Sequence, residues 1–412
     1  MTRARSLVVF PLLAALAPAQ AWADDRLDST LTLFSERRGE SGSLQVVHPQ
    51  VDLGIDLGAV TSMNVGYEAD IVSGATPSVY AAPAPGQSMD AVTAASEFSD
   101  TRHAGHGGLA FQGKRSSLAL AYTYGTERDY RSHAVSAGGS VDLPGKNTTF
   151  ALSYTRNFDR VCDFDNGNAG PYERRALTGE NVCFTSGTMD DTVTHKVDLD
   201  SVQASMTQNL SPIAVLQLGI YGQVIRGFQS NPYRRVRVAG FDAQESLPLL
   251  RVRSALFARL NLAVPSMHAA FGFLARGYAD TWGVKSAAIE GDWSQYLGSS
   301  ILFRVRGRVY QQTEAVFFED ALDYQTLGAP GAFFTGDREL SPFRTYLAGG
   351  KLSYLATGQE GRSVLGLFDD LDFHLKAEGI WSQPLVDHPP GADASGPLPD
   401  AVVLQLALLL HY

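Results

Sequence analysis

Val402, Leu404, Leu406, Leu408, Leu410 and Tyr412 occupy every second position at the end of the chain. Val403, Gln405, Ala407, Leu409 and His411 fill the places between them. Successive side chains of a β-strand point to opposite faces, so this stretch has one unbroken apolar face and one mixed face. Two settings suit such a strand. One has lipid outside and a wet or filled lumen inside; the other is a buried strand of a soluble sheet.

The opposite end of the chain narrows the choice. Arg3 and Arg5 precede an apolar run from Leu7 to Ala19, and Ala21-Trp22-Ala23 follows. That order predicts a secretory signal peptide over residues 1–23 and a mature chain over residues 24–412. The apolar run is too short to span a bilayer, and no other stretch approaches the roughly 18 apolar residues a spanning helix needs. In a membrane, then, the chain must cross as a closed barrel, because only helices and barrels satisfy every backbone group in lipid. Losing Arg3 and Arg5 moves the formal charge from −10 to −12, which argues against a nucleic-acid partner. Cys162 and Cys183 both follow the signal peptide, so one disulfide between them is expected in an exported protein.

Alternation continues through the chain. Val51, Leu53, Ile55 and Leu57 oppose Asp52, Gly54 and Asp56; Met63, Val65, Tyr67, Ala69 and Ile71 oppose Asn64, Gly66, Glu68 and Asp70. A helix does not accommodate that period. The same pattern predicts strands near residues 27–35, 44–57, 62–73, 101–111, 117–125, 131–143, 149–158, 192–206, 214–226, 250–262, 268–280, 285–296, 300–312, 344–355, 370–381 and 402–412. Tight turns such as Gly113-Lys114-Arg115 alternate with long polar loops such as residues 74–100, 227–248 and 313–342. Residues 358–366 are the one longer connection on the tight-turn side. The expected fold class is all-β: a single transmembrane antiparallel up-and-down barrel of about 16 strands, with short periplasmic turns and long outer loops. Abundant glycine, 40 residues, suits both turns and close-packed lumen positions.

Several motifs resemble a family of bacterial outer-membrane β-barrel proteins known only as a domain of unknown function. They include Tyr67-Glu68-Ala69-Asp70-Ile71-Val72-Ser73-Gly74-Ala75-Thr76-Pro77, Phe98-Ser99-Asp100-Thr101-Arg102 and Glu127-Arg128-Asp129-Tyr130-Arg131-Ser132. Ser230-Asn231-Pro232-Tyr233-Arg234, Glu245-Ser246-Leu247-Pro248 and Tyr278-Ala279-Asp280-Thr281-Trp282-Gly283 follow in order. Tyr310-Gln311-Gln312 and Thr335-Gly336-Asp337-Arg338-Glu339-Leu340-Ser341 complete the series. The resemblance implies residence in the bacterial outer membrane and periplasmic, redox-related envelope partners; it brings no activity and no catalytic residues. The aromatic last strand also resembles the signal read by the barrel-assembly machinery.

Arg304, Arg306 and Arg308 stand at period two, with Phe303, Val305 and Val309 on the other face. Such a ladder would point into the lumen and attract a small polar or anionic solute, as basic rings do in anion pores. It would equally tie the wall together by pairing with lumen acids, for which Glu68, Asp70, Glu290 and Asp292 are the candidates, with Asp280 beside them. Arg251, Arg253, Arg259 and Arg276 extend the basic side. Further acids are expected inside at Asp52, Asp56, Asp198, Asp200, Asp372 and Glu378, with His374 and Lys376 among them. Asp163, Asp165, Asn166 and Asn168 read as solvated loop polarity, since no acid closes a calcium-type loop. Trp282, Trp293, Trp381, Tyr122, Tyr124 and Tyr412 read as interfacial girdle or lumen packing. Nine scattered histidines show no metal spacing, and no nucleophile elbow or phosphate loop occurs. No enzyme, metal or cofactor is expected. Two functions stay open: a channel or transporter, and a plugged barrel serving as a docking scaffold.

Overall fold

The structure, a computed structural model, describes residues 25–37, 43–74, 98–177, 183–184, 191–238, 241–318, 332–357, 370–385 and 398–411. The signal-peptide segment, Tyr412 and most of the loop at 74–100 lie outside these residues. The strands are β1 (Arg26–Arg37), β2 (Ser43–Gly58), β3 (Thr61–Gly74), β4 (Phe98–Gln112), β5 (Ser116–Thr126), β6 (Tyr130–Asp142), β7 (Thr148–Phe164), β8 (Thr192–Ser211) and β9 (Ala214–Gly227). A short pair, β10 (Arg235–Val238) and β11 (Phe241–Gln244), stands apart. The series ends with β12 (Leu250–Val264), β13 (Ala269–Asp280), β14 (Lys285–Leu297), β15 (Ile301–Gln312), β16 (Phe343–Thr357), β17 (Asp370–Pro384) and β18 (Asp400–His411).

Sixteen strands close into one antiparallel barrel in chain order, with β1 against β18 sealing the ring. Closure leaves no unpaired edge, which a barrel in lipid requires. The sixteen strands expected from alternation are all present. β10 and β11 form a separate hairpin inside what the sequence shows only as a loop.

The apolar set of β18 faces outward: Val402, Leu404, Leu406 and Leu408 are exposed. So are Leu152, Ile220, Leu256 and Ile289, each at or above 59%. A soluble monomer rarely leaves so broad an apolar surface uncovered; lipid covers it in a membrane barrel. The inward set carries the polar groups. His48, Asp70, Gln223, Arg251 and Glu378 are all buried.

One group of acids is not where alternation placed it. Asp198 and Asp200 face outward, not into the lumen, because Val197 and Leu199 take the buried inward positions of β8 while Val202 is exposed. The barrel wall here packs an apolar inner cluster, with Tyr130, Val161, Ile225 and Phe228 joining Val197 and Leu199. The pattern of β8 reverses locally: the aliphatic residues stabilise the rim from within, so the charges emerge outside.

Candidate functional site: charged lumen and outer cap

In a ring of sixteen, the strand eight places away lies directly across. The strand order puts β2, β3 and β4 across from β12, β13 and β14. The inward faces of these arcs differ in sign. Asp52, Glu68 and Asp70 lie on β2 and β3, with Asp28 beside them on β1. Arg251, Arg253 and Arg259 lie on β12 and Arg276 on β13; Arg304, Arg306 and Arg308 lie on β15, beside that arc and across from β5. Opposed walls of opposite sign set up a field across the lumen, strengthened where protein excludes water.

Many of these charges are locally compensated, and in a recurring way. His106 Nε2 reaches Asp52 Oδ1 at 2.8 Å across β3. Arg259 reaches Asp292 Oδ2 at 2.6 Å across β13. Arg306 donates Nε and Nη2 to Glu378 at 2.5 and 2.8 Å across β16. Each pair skips a strand, and each passes over a glycine of the strand between: Gly66, Gly272 and Gly349. A Cβ at Gly66 would lie 2.2 Å from Asp52, and one at Gly349 would lie 2.6 Å from a backbone oxygen. Here glycine's use is close approach: it clears the inner surface so that ion pairs can span it.

The arginine ladder is not uniform. Arg306 is held by Glu378, with Glu290 at 3.8 Å; Lys376 also bonds Glu378, at 3.0 Å. Arg304 is exposed to the lumen and bonds Ser294 Oγ at 2.8 Å. Its cross-strand neighbour is Lys351, another cation. Arg308 pairs in register with Glu290, yet its Nε has no hydrogen-bond partner. On the acidic side Asp70 bonds buried His48 at 2.9 Å and lies 3.5 Å from Arg102.

Over the long-loop end the structure builds a cap. Buried Glu245 accepts from the backbone N–H of Asn231 and from Thr335 Oγ1, at 2.5 and 2.6 Å. Arg234 bonds Glu245 at 3.2 Å and Asp337 at 2.7 Å. Burial pushes the Glu245 carboxyl above the usual range, and the Arg234 charge opposes that. The β10–β11 hairpin covers this knot with a small core of Val236, Ala243 and Phe334. Tyr172 stacks on Phe334 at 5.5 Å between ring centres. Around it Leu247, Trp282, Val284, Ala315, Phe317 and Leu340 form a second core. Trp282 is therefore not girdle: its ring is buried, and Arg251 lies 4.1 Å over it. Trp293, Trp381 and Tyr122 do face outward.

The cap is anchored to inward-pointing side chains at the long-loop end of the wall. Gln312 of β15 donates to the carbonyls of Glu339 and Ser341 at 2.7 and 2.8 Å. Asp163 of β7 accepts from Gln244 at 2.6 Å, Arg174 at 3.0 Å and His195 at 3.1 Å. This corrects the reading of Asp163 as solvated polarity: it is fully buried. The expected strand stopped at residue 158, but β7 runs to Phe164. Continuing the period-two count to Asp159, Val161 and Asp163 would have found it. Tyr130 and Ser132 both donate to Asp159, at 2.5 and 2.7 Å.

Cys162 and Cys183 form a disulfide, and Cys162 packs with Leu177 and Tyr233. The bond closes a loop across a separation of 21 residues. By loop entropy such a link is worth about 3 kcal/mol. Reducing it, or changing Cys183 to Ser, should speed proteolysis within residues 165–191 by at least tenfold and leave the barrel's gel mobility intact. Unchanged cleavage would assign the loop's order to Leu177 and Arg174 alone.

Residues 8–364 match the family described as "Protein of unknown function (DUF3570)". The chain belongs to that family. No curated protein matches the sequence. Among solved structures, a bacterial polysaccharide outer-membrane secretin is similar over 95% of this chain and 100% of its own, at 9% identity and a TM-score of 0.48. The siderophore receptor PirA from Acinetobacter baumannii is similar over 87% of this chain and 53% of its own, at 10% identity and a TM-score of 0.43. A mutant ferric enterobactin receptor from Pseudomonas aeruginosa covers 94% and 59%, at 11% identity and a TM-score of 0.45. This chain thus spans little more than half the length of those two receptors.

Within this DUF3570 chain, several of the motif segments scattered through the sequence converge on the cap. Asn231 and Arg234, Glu245, Thr335 and Asp337 share one knot. Asp280 binds Arg251 and Tyr278 beneath it, and Gln312 anchors it. The backbone carbonyl of Arg128 accepts from Cys183 and Phe184. Ala75, Thr76 and Pro77 lie outside the described residues.

Proposed function

We propose that this protein is an outer-membrane channel for small anionic solutes, closed or narrowed at its outer mouth by the loop cap. The observation that carries this reading is the incompletely compensated basic wall. Arg304 and Lys351 stand side by side in register, and like charges so placed destabilise a sheet. A wall built only for stability would pair them. A wall that draws anions through would leave them facing the lumen. The long loops face outside the cell in this reading, and the barrel-assembly machinery inserts the chain by its last strand.

Reconstitution into planar bilayers tests it. Discrete conductance steps with anion preference are expected, and flux of small organic anions into liposomes. A folded, heat-modifiable barrel with neither conductance nor flux would overturn the channel.

One observation favours a second reading: the cap is tied across three loops rather than left loose. A permanently capped barrel would serve as a scaffold that docks envelope partners, redox-related ones included. Co-purification of a defined partner from membranes, together with absent conductance, would favour it.

A further inference from the structure

The outward face carries a row of bases that the lumen does not use. Arg131, Arg160 and Lys196 stand in one row across β6, β7 and β8: Arg131 pairs in register with Arg160, and Arg160 with Lys196. Their chain neighbours Ser132, Val161 and Val197 point inward and are buried, so the three bases point outward. Three like charges in adjacent positions repel one another. Among the described residues, neither Arg160 nor Lys196 has an acidic partner within 4.0 Å. Arg131 lies 4.6 Å over the Phe184 ring and donates Nη2 to the Phe184 carbonyl at 3.5 Å, so Arg160 and Lys196 are the more open of the three.

Rows nearer the barrel's middle do not share this surplus. Asp200 binds Arg156 at 3.2 Å, Arg226 at 2.9 Å and the Tyr154 hydroxyl at 2.6 Å. Beyond them the outward residues Val202, Leu152 and Phe150 are apolar and exposed, as far as Thr148 and Gln208 beside the turn. Outward Phe158 lies between the Asp200 row and the bases, so the bases stand just past the last exposed large apolar residue of β7, on the long-loop side. Cations on the lipid face cost about 2–4 kcal/mol at mid-bilayer but little at the interface, so this level is the one that tolerates them.

We propose that the row of Arg131, Arg160 and Lys196 binds the phosphate of an acylated, phosphorylated glycolipid in the outer leaflet. The phosphate offers oxygens to two guanidinium groups and an ammonium. The acyl chains lie along the apolar face below. Exposed Phe158 next below Arg160, with the apolar band past the paired Asp200 row, selects a lipid over free phosphate. The proposal rests on the loops facing outward, as in the proposed function; it does not rest on conduction.

Native mass spectrometry of the full-length protein in non-ionic detergent tests it, with lipid A as the probe. Bound lipid is expected on the wild type. The Arg160→Gln/Lys196→Gln pair should lower the adduct at least fivefold, and either single change should lower it about twofold if the pair fails to fold. Arg115→Gln, in a turn at the opposite end, should leave it unchanged. Dephosphorylated lipid should bind weakly, and millimolar inorganic phosphate should displace little. Equal adducts on wild type and variants, equal binding of dephosphorylated lipid, or full displacement by phosphate would each overturn it. A barrel that binds lipid but does not conduct would sink the channel alone.

Discussion

Replacing Glu245 with alanine should raise the conductance of the reconstituted barrel severalfold while the barrel stays folded. Glu245 is the acceptor on which three groups from two segments converge: the Asn231 backbone and Arg234 from one, and Thr335 from the other. Its removal leaves Arg234 with Asp337 and strips two other buried donors of their acceptor. Breaking a buried charge pair from one side costs about 3–5 kcal/mol. Surface loops sit at the low-stability end of a protein, so that loss is enough to open them. No barrel ladder passes through Glu245, so heat-modified gel mobility should not change. Glu245→Gln keeps the shape and loses the charge, and should fall between. Conductance as low in Glu245→Ala as in the wild type, with residues 228–248 newly open to protease, would show that the cap does not gate the lumen.

The barrel was legible in the sequence because one rule governs all sixteen strands. Side chains alternate, lipid selects apolar residues on one face, and loop length marks the two ends. Tyr67 and Val65 outside with Asp70 inside is that rule at work in β3. It misleads at β8, where Val197 and Leu199 turn inward to pack against Ile225 and Tyr130. Alternation gives the two faces but not which is which once both are mixed. The cap was not legible for a different reason. Arg234 and Asp337 are 103 residues apart, and nothing local pairs them. The motif resemblance marked the right segments without saying that they meet. Phe334 and Val236 sit in ordinary loop sequence, and only the fold reveals their shared core. The lumen pairs were half visible: the charges show in the sequence, but the strand-skipping contacts over Gly66, Gly272 and Gly349 depend on register.

Two charge reversals on the same strand should therefore behave oppositely. Arg306→Glu should cost stability, because it sets a new carboxylate against Glu378 and Glu290, where a two-pronged ion pair stood. A loss of about 3–5 kcal/mol is expected. It should lower the temperature at which the barrel unfolds on gels by roughly 5 °C. Arg306→Glu combined with Glu378→Arg restores the pair in reverse and should recover most of that loss. Arg304→Glu should leave heat resistance nearly unchanged, since Arg304 is exposed and holds no carboxylate, only the Ser294 hydroxyl, among the described residues. It should instead shift ion selectivity away from anions, because it removes the like-charge neighbour of Lys351 and supplies an acid in its place. The ladder would then divide by position, with Arg306 tying the wall and Arg304 setting the field. Full heat resistance in Arg306→Glu, or unaltered selectivity in Arg304→Glu, would remove that division. With the second of these, the basic wall would lose its claim to act on a passing solute.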